Sequence, residues 1–343
     1  MKSGKCIITW CISTGSRRVD RKAPRLKLAS KSYIRLNSKA AVVKRRNLLY
    51  LLIGLLCAWN PLLGQAPAPV VENIEKHTLP FAERDSTLYL DFYQLKGDTE
   101  VKPLVIFIFG GGFAAGHRDA PFYNSYFRTL VQNGLKVASI DYRLGLRGIY
   151  DQVGIFNTRP LKDAIDMAVE DLYQATAFLV SRAGELQIDP SKIIVSGSSA
   201  GAITSLHGDW YNQNRHELTR LLPEGFQYAG VVAFAGAIFS YEGKPRYDHA
   251  PAPTLFFHGT EDKVVPYNKR RLLNKGFFGS NYLARQFSRN EYLFHYFRQM
   301  GAGHEMAVDP MNERMEEILY FIRSTALGKA PFQEETTLVP LEK

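Results

Sequence analysis

Gly197-Ser198-Ser199-Ala200-Gly201 follows the apolar run Ile193-Ile194-Val195 and leads into a helix-forming stretch. This G-x-S-x-G pattern carries the chemistry of a serine nucleophile held on a sharp strand-to-helix turn. Glycines flank the turn because a side chain at either place would collide with the neighbouring strand and helix. The hydroxyl of Ser199 is then raised above the sheet edge at a helix N-terminus, where developing negative charge is stabilised. Alone, so short a pattern arises by chance in a chain with 27 glycines. The preceding strand and the partners below give it weight.

A serine hydroxyl needs a base within hydrogen-bond reach, and that base needs a carboxylate to orient it. His304 lies in Gly301-Ala302-Gly303-His304-Glu305, in a loop after the final predicted strand and before the final predicted helix, and is assigned as the base. Asp262 lies just past the predicted strand 254–257, with Pro266 stiffening the return, and is assigned as the acid. Its neighbour Glu261 is expected to point the other way, and Asp309 is a more distant second candidate. His258 is read as a structural residue of the same loop. The chain order is serine, acid, histidine.

The reaction also needs donors aimed at a tetrahedral oxyanion, each worth ~10²–10³ in rate. Gly110-Gly111-Gly112-Phe113 follows the apolar run 104–109 and offers free N–H groups close to the substrate. The expected donors are Gly111 and Gly112, together with the Ala200 N–H beside the nucleophile.

Other chemistries fit less well. Gly110-x-Gly112-x-x-Ala115 formally matches a dinucleotide-binding turn, with Asp141 ending the next strand, but Gly116 and Pro121 disrupt the helix that should follow. His216-Glu217 starts an H-E-x-x-H pattern, yet Arg220 stands at the second histidine. No metal and no cofactor is therefore expected. His207 sits about 12 Å along a helix from Ser199 at 1.5 Å per residue, too far to serve it directly. Asp141 and Arg143 are expected to form a buried pair. Tyr123, Tyr126, Phe127, Tyr150, Phe156, Trp210 and Tyr211 are read mainly as packing residues, with a substrate pocket as the second role.

These residues need a scaffold that alternates strand and helix. Strands are predicted at 88–93, 104–109, 137–140, 193–195, 231–234, 254–257 and, last, 292–297. Helices are predicted at 123–133, 163–182, after the serine turn, and at 313–323, which closes the chain. Asp189-Pro190 is expected to make a turn. The alternation argues for a parallel sheet with helices on both faces. There is no internal repeat.

The start of the chain reads differently. Lys44-Arg45-Arg46, the apolar stretch 48–58 and Gly64-Gln65-Ala66 form the three parts of a secretory signal peptide, over 44–66, cleaved after Ala66. The apolar run is short of the ~20 residues of a membrane span, and Asn60-Pro61 interrupts it. The basic stretch 1–43 reads as a start assigned too far upstream. Residues 1–66 hold 14 Lys and Arg against one Asp, leaving 29 basic and 32 acidic residues after them. The basic balance thus belongs to the leader, and the remainder has no electrostatic case for nucleic acid. Cys6, Cys11 and Cys57 all precede residue 67, so residues 67–343 hold no disulfide or thiol nucleophile. They are long enough for one domain with a large core.

The run 108–113, then Asp141-Tyr142-Arg143-Leu144, Gly197–Gly201, the loop 258–266 and Gly303-His304 together resemble the carboxylesterase/lipase branch of the α/β-hydrolase superfamily. The resemblance spans roughly 78–327. It implies an α/β-hydrolase fold with an eight-stranded, mostly parallel sheet, no cofactor, and an acyl-enzyme mechanism. Phe109 stands where the hormone-sensitive-lipase-like branch usually has His, the cholinesterase-like branch usually uses Glu as the acid, and Ala202 replaces a frequent glycine. The chain mixes the branches. The function implied is an exported serine esterase acting on small-molecule or carbohydrate esters, with acetyl or feruloyl groups on polysaccharides as the class suggested by analogy. A prolyl-oligopeptidase-type peptidase and a non-catalytic binding module on the same fold are the alternatives.

Overall fold

Strands with no polar face must lie in the middle of a sheet, covered on both sides. Three runs meet that condition here: 104–108, 136–140 and 230–234 are buried at every position, Lys136 and Ser139 being the polar residues among them. A computed structural model describes residues 9–11 and 73–339, apart from 155, 329 and 331, and places these runs centrally. The signal-peptide segment 44–66 lies outside the described residues, as does the leader except Thr9–Cys11.

In chain order the strands are β1 (Thr9–Cys11), β2 (Ile74–Glu83), β3 (Thr87–Leu95), β4 (Lys102–Ile108), β5 (Lys136–Ile140), β6 (Ile188–Ser198), β7 (Gly230–Phe234), β8 (Ala237–Ser240), β9 (Thr254–Gly259), β10 (Lys269–Leu272), β11 (Lys275–Gly279), β12 (Phe294–Gln299) and β13 (Gln333–Leu338). Ten form one sheet in the order β1-β13-β12-β9-β7-β6-β4-β5-β3-β2. The run from β13 to β5 is parallel, while β3, β2 and β1 pair antiparallel at the edges. The seven strands expected by range are present, and among the described residues β2 at one edge and β13 and β1 at the other bring the sheet to ten where the resemblance implies eight. β8, β11 and β10 make a separate antiparallel sheet.

The helices that matter are α1 (Asn124–Gln132), α2 (Arg159–Ser181), α3 (Ala200–Gln213), α4 (Ser280–Arg289) and α5 (Met315–Tyr320). On α2, Ile165, Ala168, Leu172, Ala175 and Leu179 repeat at helical spacing and are all buried. Burying each leucine or isoleucine is worth about 1.5–3 kcal/mol. Neighbouring residues of β6 show that α1 and α3 cover opposite faces. Ser196 Oγ meets Tyr126 of α1 at 3.0 Å, while a Cβ on Gly197 would stand 2.3 Å from the Gly201 carbonyl of α3. Among the described residues, no helix is long and apolar enough to cross a membrane.

Four expectations change. Strand 292–297 is not the last, because β13 follows it; and the closing helix splits into α5 and a wider turn at Phe321–Ala326 before that strand. Asp189-Pro190 does not precede a new strand but lies within β6 as a bulge, where the pairing with β4 jumps from Ile188 to Ile193. Asp141 and Arg143 do not pair. Asp141 accepts from Arg118 at 2.7 Å, and Arg143 binds Asp171 and Glu170, because each faces a different helix or loop.

Candidate active site

Ser199 joins β6 to α3 with φ 50° and ψ −112°, a backbone conformation that a non-glycine residue adopts only under constraint. The constraint is visible on both sides. A Cβ on Gly201 would stand 2.0 Å from the Ile108 carbonyl oxygen, and one on Gly197 would strike Gly201 itself. The Ser199 N–H donates to the Phe234 carbonyl at 2.9 Å, and its own carbonyl accepts from Ile203 at 2.9 Å. Ser198 donates to the Ala307 carbonyl at 2.9 Å, tying the turn to the segment that carries His304.

The loops after β9 and β12 bring the other two residues in. A Cβ on Gly259 would be 2.3 Å from the Ala302 carbonyl, so only glycine lets these loops touch. The Glu261 N–H donates to that same carbonyl at 2.8 Å. Glu261 and Asp309 are both exposed and take no part. His304 Nε2 lies 2.8 Å from Ser199 Oγ, and its Nδ1 lies 2.8 Å from Asp262 Oδ2. The ionised carboxylate can only accept, so Nδ1 donates and Nε2 is left to accept from the serine hydroxyl. The N–H groups of Val264 and Val265 donate to Asp262 Oδ1 at 2.8 and 3.0 Å. Burial alone would raise the Asp262 carboxyl. Hydrogen bonds from His258 and His304 outweigh it and hold the group well below the usual carboxylate range.

His258 was legible as a loop residue, and its contact with the acid was not. Its ring is fully buried, with Nε2 3.2 Å from the Val265 carbonyl and 3.3 Å from Asp262 Oδ2. A carbonyl only accepts, so Nε2 carries the hydrogen, and Nδ1 accepts from Ser280 at 2.8 Å.

The glycine turn after β4 lies against the serine turn: a Cβ on Gly110 would be 3.3 Å from Ser199 Cβ. Gly111 has φ 127° and Gly112 φ 63°, and a Cβ on Gly111 would sit 2.0 Å from the Ala115 carbonyl. The Gly110 N–H donates to Tyr123 at 3.0 Å. The N–H groups of Gly111, Gly112 and Ala200 take no part in the hydrogen bonds found among the described residues and remain free for a ligand. The Tyr150 ring stands 3.2 Å from where a Gly112 Cβ would be. Tyr150 and Phe156 are exposed, whereas Tyr123, Tyr126, Phe127 and Tyr211 are core. Sequence reasoning did not separate these two groups.

The remaining candidates lie elsewhere. His207 is buried and bonded to Ile203 and Phe239. His216 stacks on Tyr211 at 4.0 Å and accepts from the Leu218 N–H. Beyond Gly112 the chain stays in turns until Pro121, so the helix a dinucleotide would need does not form there.

The family model described as BD-FAE matches residues 90–238. The fumonisin B1 esterase of Sphingopyxis macrogoltabida is 29% identical over 100 residues, 29% of this chain and 18% of that protein. The juvenile hormone esterase of Heliothis virescens is 31% identical over 113 residues, 32% of this chain and 18% of that one. The matched stretch is therefore under a fifth of the length of either relative. Among solved structures, a thermophilic esterase from Thermogutta terrifontis superposes with a TM-score of 0.51 at 21% identity, covering 72% of this chain and 92% of that one.

Proposed function

We propose that this chain, which has the α/β-hydrolase fold, hydrolyses carboxylic esters through an acyl-enzyme on Ser199. The observation that carries this reading is the continuous relay from Ser199 Oγ through His304 to Asp262, with both links at 2.8 Å. As Oγ attacks the ester carbonyl, His304 Nε2 takes its proton and the ring becomes imidazolium, facing the ionised Asp262. The carbonyl oxygen gains the negative charge and is met by the N–H groups of Gly111, Gly112 and Ala200. Collapse breaks the bond to the alkoxy oxygen, which leaves as the alcohol with the proton from Nε2. Water then repeats the sequence on the acyl-serine. It gives a proton to Nε2, attacks the carbonyl, and releases the acid as the proton returns to Ser199.

The substrate class proposed is an acetyl or feruloyl ester on a polysaccharide, encountered after export and cleavage behind Ala66. The signal-peptide pattern of residues 44–66 supports export, and amino-terminal sequencing of the exported protein should then begin at or within a few residues of Pro67. The exposed ring of Tyr150 beside the glycine turn supports a surface that meets a bulky ester.

The reading is tested with p-nitrophenyl esters of increasing acyl length, beside acetylated xylan and methyl ferulate. The wild type should turn over at least the short acyl esters. Ser199→Ala and His304→Ala should each lose several orders of magnitude, and the double variant should be little worse, because the two act as a unit. Retained turnover in either single variant would overturn the assignment.

A further inference from the structure

From residue 263 to 290 the sequence holds seven Lys and Arg and no Asp or Glu, although the chain after residue 66 is net negative. Lys269, Arg270, Arg271 and Lys275 lie on the β10–β11 hairpin, where β10 is exposed at every position. Arg285 and Arg289 follow one helical turn apart on α4, and Lys244 and Arg246 come from the loop after β8. All eight are exposed, and none forms an ion pair among the described residues. Elsewhere Arg118, Arg143 and Arg298 all have carboxylate partners. Like charges gathered outside ion pairs repel one another and focus a field that draws anions.

The cations border a concave surface. One cavity of about 940 Å³ has Trp210, Tyr241, Lys244, Arg246 and Arg271 in its wall, with Glu242 and Asp248 beside them. A second, of about 420 Å³, is lined by Lys244, Arg246, Lys269, Arg285 and Arg289 without a carboxylate. Lys244 and Arg246 belong to both walls, so the two cavities adjoin at these side chains as the two halves of a trough. The Trp210 indole N–H is fixed on the Arg246 carbonyl at 2.7 Å, and the Lys275 ammonium lies 4.7 Å from the centre of the Tyr241 ring. Side-chain amides of Asn214, Asn274 and Gln286 complete the lining.

The trough is attached to the catalytic loops. β8 begins three residues past Phe234, whose carbonyl accepts the Ser199 N–H. β11 ends at Gly279, packed so closely on the loop carrying Asp262 that a Cβ would stand 1.8 Å from the Pro266 carbonyl. Tyr241 bonds Thr158 at 2.8 Å, at the start of α2 and the end of the segment that bears Tyr150.

We propose that this trough binds a uronate-bearing polysaccharide, and that such an acidic glycan is the polymer carrying the ester presented to Ser199. The second half rests on the ester-hydrolase reading above. Guanidinium groups pair with sugar carboxylates in a bidentate fork, amides meet hydroxyls, and the flat rings of Trp210 and Tyr241 take the apolar faces of pyranose rings. An anionic bilayer fits less well. Leu272 and Leu273 at the hairpin tip offer an apolar anchor, but six of the cations line concave walls that a flat surface does not enter.

The test is affinity electrophoresis of the full-length Ser199→Ala protein, which leaves the polymer intact, through gels holding polygalacturonate, glucuronoxylan or uncharged arabinoxylan. Both acidic polymers should retard it, the uncharged one should not, and added salt should weaken the retardation. Lys244→Gln, Arg246→Gln and Arg271→Gln combined should cost roughly tenfold in affinity for polygalacturonate. Equal retardation by arabinoxylan, unchanged affinity in the triple variant, or tighter binding to phosphatidylglycerol vesicles than to polygalacturonate would overturn the proposal. Turnover gives the second arm. Wild-type kcat/KM should be higher on acetylated glucuronoxylan than on the same polymer with its carboxyls reduced, and equality would remove the substrate claim. Failure to hydrolyse p-nitrophenyl acetate would count against the ester-hydrolase reading alone, since the gel readout needs no turnover.

Discussion

Nε2 of His258 stands 3.3 Å from Oδ2 of Asp262, the same oxygen that takes the His304 Nδ1–H at 2.8 Å. Two imidazoles therefore converge on one carboxylate oxygen, while two backbone N–H groups hold the other. Every lone-pair direction of the acid is occupied, so its plane cannot rotate away from His304. His258 touches no reacting atom in this arrangement. It acts as a positioning residue, through Asp262.

The consequence is a graded series. Asp262→Asn should lower kcat by about 10⁴, because the amide favours the wrong His304 tautomer. His258→Ala should lower kcat roughly tenfold with little change in KM, and His258→Gln should recover part of that by restoring a donor. Steady-state kinetics on one p-nitrophenyl ester decide it. Loss of KM with unchanged kcat in His258→Ala would show that the residue shapes the binding surface instead.

Glycine contacts give a second prediction, on stability and rate separately. Gly201→Ala places a methyl 2.0 Å from the Ile108 carbonyl, with no flexible atom to yield, and should destabilise the fold by about 1–3 kcal/mol in a denaturant titration. Gly111→Ala meets the Ala115 carbonyl at 2.0 Å and breaks the φ 127° that aims the turn. It should lower kcat by ~10²–10³ if the Gly111 N–H is an oxyanion donor. Normal turnover in a folded Gly111→Ala protein would remove that donor from the account.

The meeting of Ser199, His304 and Asp262 could be read from the chain because the site's glycines and its three polar residues lie at fixed offsets from apolar strands. Gly197, Gly201 and Gly259 are each forced by a backbone contact that leaves no room for a side chain, so the pattern and the geometry have one cause. What was illegible lacks that signature. β13 buries Glu334, Thr336 and Leu338 on one face, and two of those three are polar, so no apolar alternation marks it. β10 is Lys-Arg-Arg-Leu with no buried position, and is a strand only because β11 supplies its hydrogen bonds. Arg143 does not pair with Asp141 as expected, because its partners Glu170 and Asp171 lie on α2, almost thirty positions along the chain. Long-range partnering of charges is set by packing and leaves no local trace.

Asp209 gives a pH dependence with a definite sign. It is fully buried on α3, accepting from Gln213 at 3.1 Å and from the Ala252 N–H at 3.2 Å. Burial pushes its carboxyl up to about 7, against the pull of those two donors. The folded state therefore binds a proton that the unfolded state, at about 3.9, has already lost. The contribution to stability is fully present below about pH 4 and declines as pH rises towards 7. The urea midpoint of the wild type should fall relative to that of Asp209→Asn between about pH 5 and about pH 8. Parallel midpoints across that range would show that Asp209 is ionised at both ends.

If Ser199 is the nucleophile, a covalent trap must find it. An organophosphonate ester should add once per chain and abolish turnover, and the adduct should map by peptide mass spectrometry to Ser199. Prior His304→Ala substitution should slow the labelling by orders of magnitude, since Nε2 at 2.8 Å is the acceptor for the serine proton. An adduct on Ser198 or Ser196, or full inactivation with Ser199 unmodified, would contradict the account.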